Sequence, residues 1–329
     1  MLRYLNKVSG NIKQNKMKKI IYSKFGGPEV LQITEVPIPA VQETNILIKV
    51  KAVSINPLDW KIRNGEMKLM SGSKFPKGIG IDFSGIVEDT GTAATQYKKG
   101  DEVFGILDVF KGEALAEYIL ASENEIAIKP SNISFEQAAA MPVVGSAALQ
   151  IFKTLVKVEK GNEILINGAS GGIGMFATQI AKMSGAIVTT VVGGSGIQAV
   201  KDWGADFIVN YSNEDVLKGD KQYDVVIDLS AKMPFSKAKQ VMKRSSTYIH
   251  TAPGPKEIIS SFFINMFSSK KYKLLMLKPA PEYLAELTGY AASGIAIIVS
   301  KVYPFHLFEK AYTEVPNGKF IGKAVITID

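Results

Sequence analysis

The 329-residue chain contains no cysteine. That absence excludes a disulfide framework, a thiolate nucleophile, an iron–sulfur cluster and every cysteine-containing zinc site. Histidine is almost missing too, with only His250 and His306. A three-histidine metal site cannot be built from two, and no metal is expected. Long apolar runs are lacking: no uncharged stretch approaches the ~20 residues that cross a bilayer, and no secretory leader is visible. Acid is absent from residues 1–19, which hold Arg3, Lys7, Lys13, Lys16, Lys18 and Lys19 and so supply six of the eight net positive charges. With the basic excess in a tail, and no dense basic stripe read elsewhere, no nucleic-acid partner is expected. The tail also lacks the long arginine-rich amphipathic face of a transit peptide. Residues 1–17 therefore read as a start-site or disordered extension, with Met17 the working start and a cytoplasmic location.

What is present suggests about two domains, at ~150 residues each. Between Ile20 and Ile128 short runs rich in Ile, Val and Tyr, such as ILIKVKAVSI and DEVFGIL, are broken by Gly26-Gly27-Pro28, Pro37, Pro39, Gly91 and Lys99-Gly100-Asp101. That spacing predicts a β-barrel or sandwich. At Ser134 the texture changes. Ser134 with Gln137 three residues on forms a capping-box pattern. Strands at 163–167, 187–192, 207–210, 223–229 and 246–251 then alternate with helices at 172–184, 197–203 and 236–243, which predicts βαβ units on a parallel sheet. A helix at 281–293, a strand at 301–305, a helix at 306–315 and a strand at 324–328 close the chain.

The strongest chemical signal follows the apolar strand EILIN. Gly168, Gly171 and Gly174 are spaced three apart, Ala169-x-Gly171-x-x-Gly174 fits the relaxed dinucleotide fingerprint, and an amphipathic helix opens at Gly172. A tight strand-to-helix turn, close backbone approach to a diphosphate and free N–H groups at a helix start all require this pattern. Ser170, Gly171, Gly172, Ile173 and Gly174 are the phosphate-binding candidates. About twenty residues on, an NAD-selective site carries an acid that grips the ribose hydroxyls. Here the strand ends in Val192-Gly193-Gly194-Ser195, and the first acid is Asp202. Gly193, Gly194 and Ser195, with Tyr211 after the next strand, leave room for a 2′-phosphate, so NADP(H) is the expected cofactor.

Further segments join these: Gly26-Gly27-Pro28-Glu29-Val30-Leu31, Asn56-Pro57-Leu58-Asp59-Trp60-Lys61-Ile62-Arg63-Asn64-Gly65, Gly80-Ile81-Asp82-Phe83-Ser84-Gly85 and Gly100-Asp101-Glu102-Val103-Phe104-Gly105. In this order over residues 18–328 the chain resembles the zinc-independent quinone oxidoreductase branch of the medium-chain dehydrogenase/reductase superfamily. The resemblance implies an α/β chain with a GroES-like β-rich catalytic domain at 18–135 and 296–329. A Rossmann doubly wound parallel-sheet domain would occupy 136–295, with the active site in the cleft between them and a homodimeric assembly. Asn56 stands where zinc-dependent relatives carry a catalytic cysteine, and Gly80-Ile81-Asp82 replaces their Gly-His-Glu.

Hydride donation from NADPH to quinones or α,β-unsaturated carbonyls is then the expected chemistry. The alternatives are a 2-alkenal or enoyl-thioester reductase on the same scaffold, or a non-catalytic NADPH-binding protein. Asn56, as donor to a carbonyl or support for the nicotinamide, and Lys61, where relatives carry a tyrosine, are the catalytic candidates. Leu229, Ser230 and Thr251 complete the cofactor set, the segment Thr251-Ala252-Pro253-Gly254 flanking the nicotinamide. Ala147 replaces a threonine common in relatives. Asp59 is expected to cap its loop or pair with Arg63. Trp60 and His250 are expected in the core, and His306 at a helix start. The apolar stretches Phe262–Phe267 and Leu274–Leu277 suit a substrate pocket, a dimer interface or ordinary core.

Overall fold

The protein was studied as a computed structural model, which describes residues 15–251, 254–318 and 320–329. The sequence reading of residues 1–14, and of Ala252-Pro253 beside the nicotinamide, lies outside these. The first half of the chain is built from β1 (Lys16–Tyr22), β2 (Leu31–Pro37), β3 (Asn45–Ser54), α1 (Pro57–Arg63), α2 (Lys68–Ser71), β4 (Lys77–Gly78), β5 (Asp82–Thr90), β6 (Glu102–Ile106), β7 (Tyr118–Ser122) and β8 (Ile126–Ile128). Then come α3 (Phe135–Ala139), α4 (Pro142–Gln150), β9 (Glu163–Asn167), α5 (Gly172–Met183), β10 (Ile187–Val192), α6 (Ile197–Asp202), β11 (Phe207–Asn210) and β12 (Tyr223–Asp228). The chain finishes with α7 (Phe235–Ala238), β13 (Met242–His250), α8 (Pro255–Phe267), β14 (Lys270–Leu274), α9 (Pro281–Ala292), β15 (Val299–Pro304), α10 (Phe308–Glu314) and β16 (Lys323–Thr327).

Strands β9 to β14 form a parallel sheet in the order β11-β10-β9-β12-β13-β14. The order reverses beside β9, so a crevice opens between β9 and β12 at their carboxyl ends. The early strands fold into a β-rich body in the order β15-β16-β3-β5-β6-β8, with β7 on β3 and a smaller β2-β1-β4 sheet alongside. β15 and β16 return from the far end of the chain, and β16 lies antiparallel to β3. The GroES-like body and the Rossmann sheet are thus both present. One buried cluster joins Ala52, Ile81, Phe104 and Val325 of the first to Val144, Ile166 and Met175 of the second, so the core runs unbroken across the join.

Local chemistry explains most element ends. Ser134 Oγ accepts from the Gln137 amide at 3.2 Å and the Ser134 amide donates to Gln137 Oε1 at 3.1 Å, which is the expected capping box. Several spans differ from expectation: α4, α8 and β14 were not among the expected elements, and β13 starts at Met242 rather than 246. The expected 236–243 helix runs from Phe235 to Val241, its second half in 3-10 form, and stops there because Met242 pairs with Tyr223 at the start of β13. Strand β1 takes in Lys16 and Met17, opposite Pro37 and Val36, with Met17 buried, although both had been placed in the extension.

Candidate active site

β9 is buried along Ile164–Asn167 and delivers the chain into a turn at Gly168, whose φ of +81° only glycine adopts without strain. The Gly168 amide donates to Val191 O at 2.9 Å, tying the turn to the neighbouring strand. α5 is capped by Gly171, which has no side chain to bond the helix's first amides. A Cβ on Gly171 would meet only Gly168 O, at 3.8 Å, whereas one on Gly174 would collide with the Ala169 carbonyl. One glycine therefore keeps the front of the loop open, and the other lets helix and strand close behind it. This is the geometry a diphosphate requires, and the residues present fit it.

The other expected cofactor residues converge on the same edge. A Cβ on Gly196 would sit 2.7 Å from Ser170 Cβ, so the loop after β10 packs on the phosphate loop. The Tyr211 hydroxyl lies so close over Gly193 that a Cβ there would approach it to 2.6 Å. Ser195 is exposed beside them. Leu229 donates its amide to Asn167 O at 2.9 Å, Ser230 Oγ donates to Asp228 Oδ1 at 2.8 Å, and Thr251 Oγ1 donates to Asp228 O at 3.0 Å. Asn167 Nδ2 donates to both Asp228 and Ser230 and so fastens the two sides of the crevice, a role its sequence position gave no sign of. His250 Nδ1 meets the Tyr272 hydroxyl at 3.0 Å, yet its buried Nε2 has no partner among the described residues, so the expected satisfied core histidine is only half satisfied.

The β-rich body faces this loop through its last strand. The Gly322 amide donates to Ser170 O at 2.9 Å, and Gly322 and Gly171 form a parallel bridge. The stem of Lys323 lies against Gly172, where a Cβ would come within 2.8 Å of its Cδ. Its ammonium donates to Ile55 O at 2.7 Å and Asn56 Oδ1 at 2.6 Å. Asn56 Nδ2 in turn donates to Asp82 Oδ2 at 3.0 Å, an oxygen that also accepts from Ser54 Oγ at 2.7 Å. Asp82 Oδ1 accepts from the Val143 amide at the start of α4, at 3.0 Å. Asn56 is 1 % exposed, with its oxygen and one amide hydrogen committed, so the direct role toward a substrate carbonyl expected of it gives way to an internal one. Lys61 is half-buried, its carbonyl accepts from the Glu66 amide, and its ammonium has no hydrogen-bond or ion-pair partner among the described residues.

Burial sets the electrostatics of this cluster. It raises the Asp82 carboxyl, with the nearby Lys323 charge pulling the other way, and it lowers the Lys323 ammonium against the pull of Asp82 and Asp59. Asp59 is pushed up to about 7, chiefly by burial. Its Oδ2 accepts from the Asn56 amide at 2.8 Å, as a loop cap should, while Oδ1 has no partner among the described residues. The expected pair with Arg63 does not form, because Arg63 Nε donates to Gly26 O at 3.1 Å and Nη2 to Asn64 Oδ1. Trp60 packs on the β-body core and His306 is exposed, both without polar chemistry. Asp82 entered the sequence reading only within Gly80-Ile81-Asp82, with no role given to it, and Lys323 was not singled out. The signal for Lys323 was a lysine opening the strand KAVIT.

Fold and cradle define a two-domain dinucleotide-binding protein. Residues 42–131 match the alcohol dehydrogenase GroES-like domain and residues 203–326 match the zinc-binding dehydrogenase family. The chloroplastic quinone-oxidoreductase homolog of Spinacia oleracea is 30% identical, over 94% of this chain and 98% of its own. A mitochondrial NAD(P)H oxidoreductase of Bos taurus is 30% identical over 94% and 88%. Among solved structures, the Coxiella burnetii quinone oxidoreductase superposes with a TM-score of 0.85 at 29% identity, over 96% of this chain and 100% of that one. The Escherichia coli quinone oxidoreductase, solved with NADPH, gives 0.81 at 27%, over 94% and 100%. The chain belongs to the zinc-independent quinone-oxidoreductase branch of the medium-chain dehydrogenase/reductase superfamily, and it is an oxidoreductase. The second family description names zinc, yet the chain has no cysteine, and among the described residues no three His, Asp or Glu side chains are grouped to hold a metal. The cytoplasmic expectation is overturned, since these curated relatives are named chloroplastic or mitochondrial.

Proposed function

We propose that the protein is an NADPH-dependent reductase of quinones and related α,β-unsaturated carbonyls, working in an organelle. The observation that carries this is the open glycine cradle on α5, followed by an acid-free second loop where Ser195 and Tyr211 stand together. The relative solved with NADPH supports the cofactor, and the quinone oxidoreductases among the relatives support the substrate class. The organelle names of the relatives support the location.

In this reading the bound dinucleotide supplies a hydride, and the chain supplies place and polarity. The amides opening α5 hold the diphosphate. Gly193, Gly194, Ser195 and Tyr211 receive the adenosine ribose, and Leu229, Ser230 and Thr251 border the nicotinamide half. Lys323 holds the Asn56 amide in one orientation and links it to the phosphate loop. Lys61, whose ammonium has no partner among the described residues, would meet negative charge growing on the acceptor oxygen if it reaches the cleft. A panel of quinones, alkenals and enoyl thioesters, each with NADPH and NADH, tests the proposal. Highest kcat/KM for quinones with NADPH is the expected result. Preference for enoyl thioesters, or for NADH, overturns it.

A further inference from the structure

Helix α8 packs on β14 by one side only. Asn265 exchanges two hydrogen bonds with the Tyr272 peptide group, its Nδ2 donating to Tyr272 O at 2.8 Å and its Oδ1 accepting from the Tyr272 amide at 2.7 Å. The other side presents Ile258, Ile259, Phe262, Phe263, Met266 and Phe267, exposed by 47 to 81%. These fall at i, i+1, i+4, i+5, i+8 and i+9, a continuous stripe along one face. A solvent-facing helix side made wholly of large apolar groups marks an interaction surface. Neither the expected core nor a closed substrate pocket accounts for it.

Charge says what covers it. Residues 232–278 hold ten basic side chains and a single acid, Glu257, leaving the rest of the chain, tail included, one charge below neutral. The excess was hidden in the total because acids elsewhere offset it. Several of these cations gather at the carboxyl end of α8. The Lys271 ammonium donates to Asn265 O and Ser268 O, the Lys270 ammonium donates to Lys239 O, and Ser269 bonds the Arg244 carbonyl. Lys256 stands exposed at the other end. Large apolar residues on a helix with lysines at both ends match an anionic bilayer, which accepts the rings at its headgroup boundary and the cations on its lipids. Adding a second sheet at Tyr272 is opposed, because the outward peptide groups are already taken by Asn265 and flanked by Lys271 and Lys273.

We propose that α8 docks the enzyme on an anionic lipid surface, its apolar stripe lying in the membrane plane. The test uses the full chain with vesicles of phosphatidylcholine alone or with one third phosphatidylglycerol, read by co-sedimentation. Binding is expected only to the anionic vesicles, weakened roughly tenfold or more between 0.05 and 0.5 M salt, and reduced about a hundredfold in Ile259→Ser/Phe262→Ser/Phe263→Ser. The absence of native cysteine allows a second reading on a nearly intact face: Met266→Cys labelled with an environment-sensitive dye should shift to the blue on anionic vesicles. No binding to these vesicles overturns the proposal. So does binding that survives the triple substitution, or a wild-type dimer that the same substitution dissociates, which would show a second copy covering the stripe. None of these readouts depends on turnover, so they fail separately from the reductase assignment.

Discussion

Lys323 makes the clearest prediction at the scale of single residues. Its ammonium is the nearby positive charge offsetting the buried Asp82 and Asp59 carboxyls, and it fixes Asn56. Lys323→Met leaves those carboxyls uncompensated, which costs about 3–5 kcal/mol. Denaturant unfolding should show that loss in full at pH 8 and less at pH 5, where Asp59 holds its proton and one charge fewer is left to offset. Asp59 gives a second pH signature. The native chain keeps its proton up to about pH 7, whereas the unfolded chain releases it near 3.8. The stability tied to that proton is complete below 3.8, falls as pH rises through the window, and is gone above 7, with a slope of at most about 1.4 kcal/mol per pH unit. Asp59→Asn should flatten thermal stability against pH across that window; an unchanged slope would count against the assignment. For cofactor choice, Ser195→Asp should weaken NADPH binding at least tenfold, on the order of 1.4 kcal/mol, while sparing NADH.

The sequence reveals elements unevenly, and the reason is physical. The phosphate loop was legible residue by residue because its demands are backbone demands that few residues meet: a left-handed Gly168 and a Gly174 pressed on Ala169. Gly174→Ala should therefore drive α5 off β9, with an overpacking cost of about 1–3 kcal/mol and at least a tenfold rise in the NADPH Kd by fluorescence titration. The Ser134 box was equally plain, because its partners lie three residues apart. Lys323 and Asn167 were not legible, since their partners stand 267 and 61 residues away and only the fold brings them together. The α8 stripe was ambiguous because an apolar residue looks the same in sequence whether it faces a core or solvent. The end of the helix after α7 was overread for a related reason: Met242 and Lys243 fit a helix locally, but β13 claims them.

At the scale of the whole molecule, the two bodies are joined where the chemistry is proposed. Gly322 bonds the phosphate loop directly, so dinucleotide binding on one body should be felt in the last strand of the other. Hydrogen exchange with and without saturating NADPH should show slowed exchange at Gly322 and Lys323 along with the α5 amides. Ligand at a hundred times its Kd should add about 2.7 kcal/mol to overall stability. Protection confined to the Rossmann sheet would mean that the bridge carries no coupling.

The position of β16 also constrains how the protein is made. Residues 323–327 sit between β15 and β3, so the sheet begun by the earliest-translated strands keeps an open seam until nearly the whole chain has left the ribosome. The Rossmann sheet, complete by β14, and α9, which follows it directly, meet no such delay and are free to form first. A premature stop codon near residue 320 would then do more than trim a terminus. It would leave a nascent chain with one finished half and one unzipped half, a species for chaperones and proteases to remove.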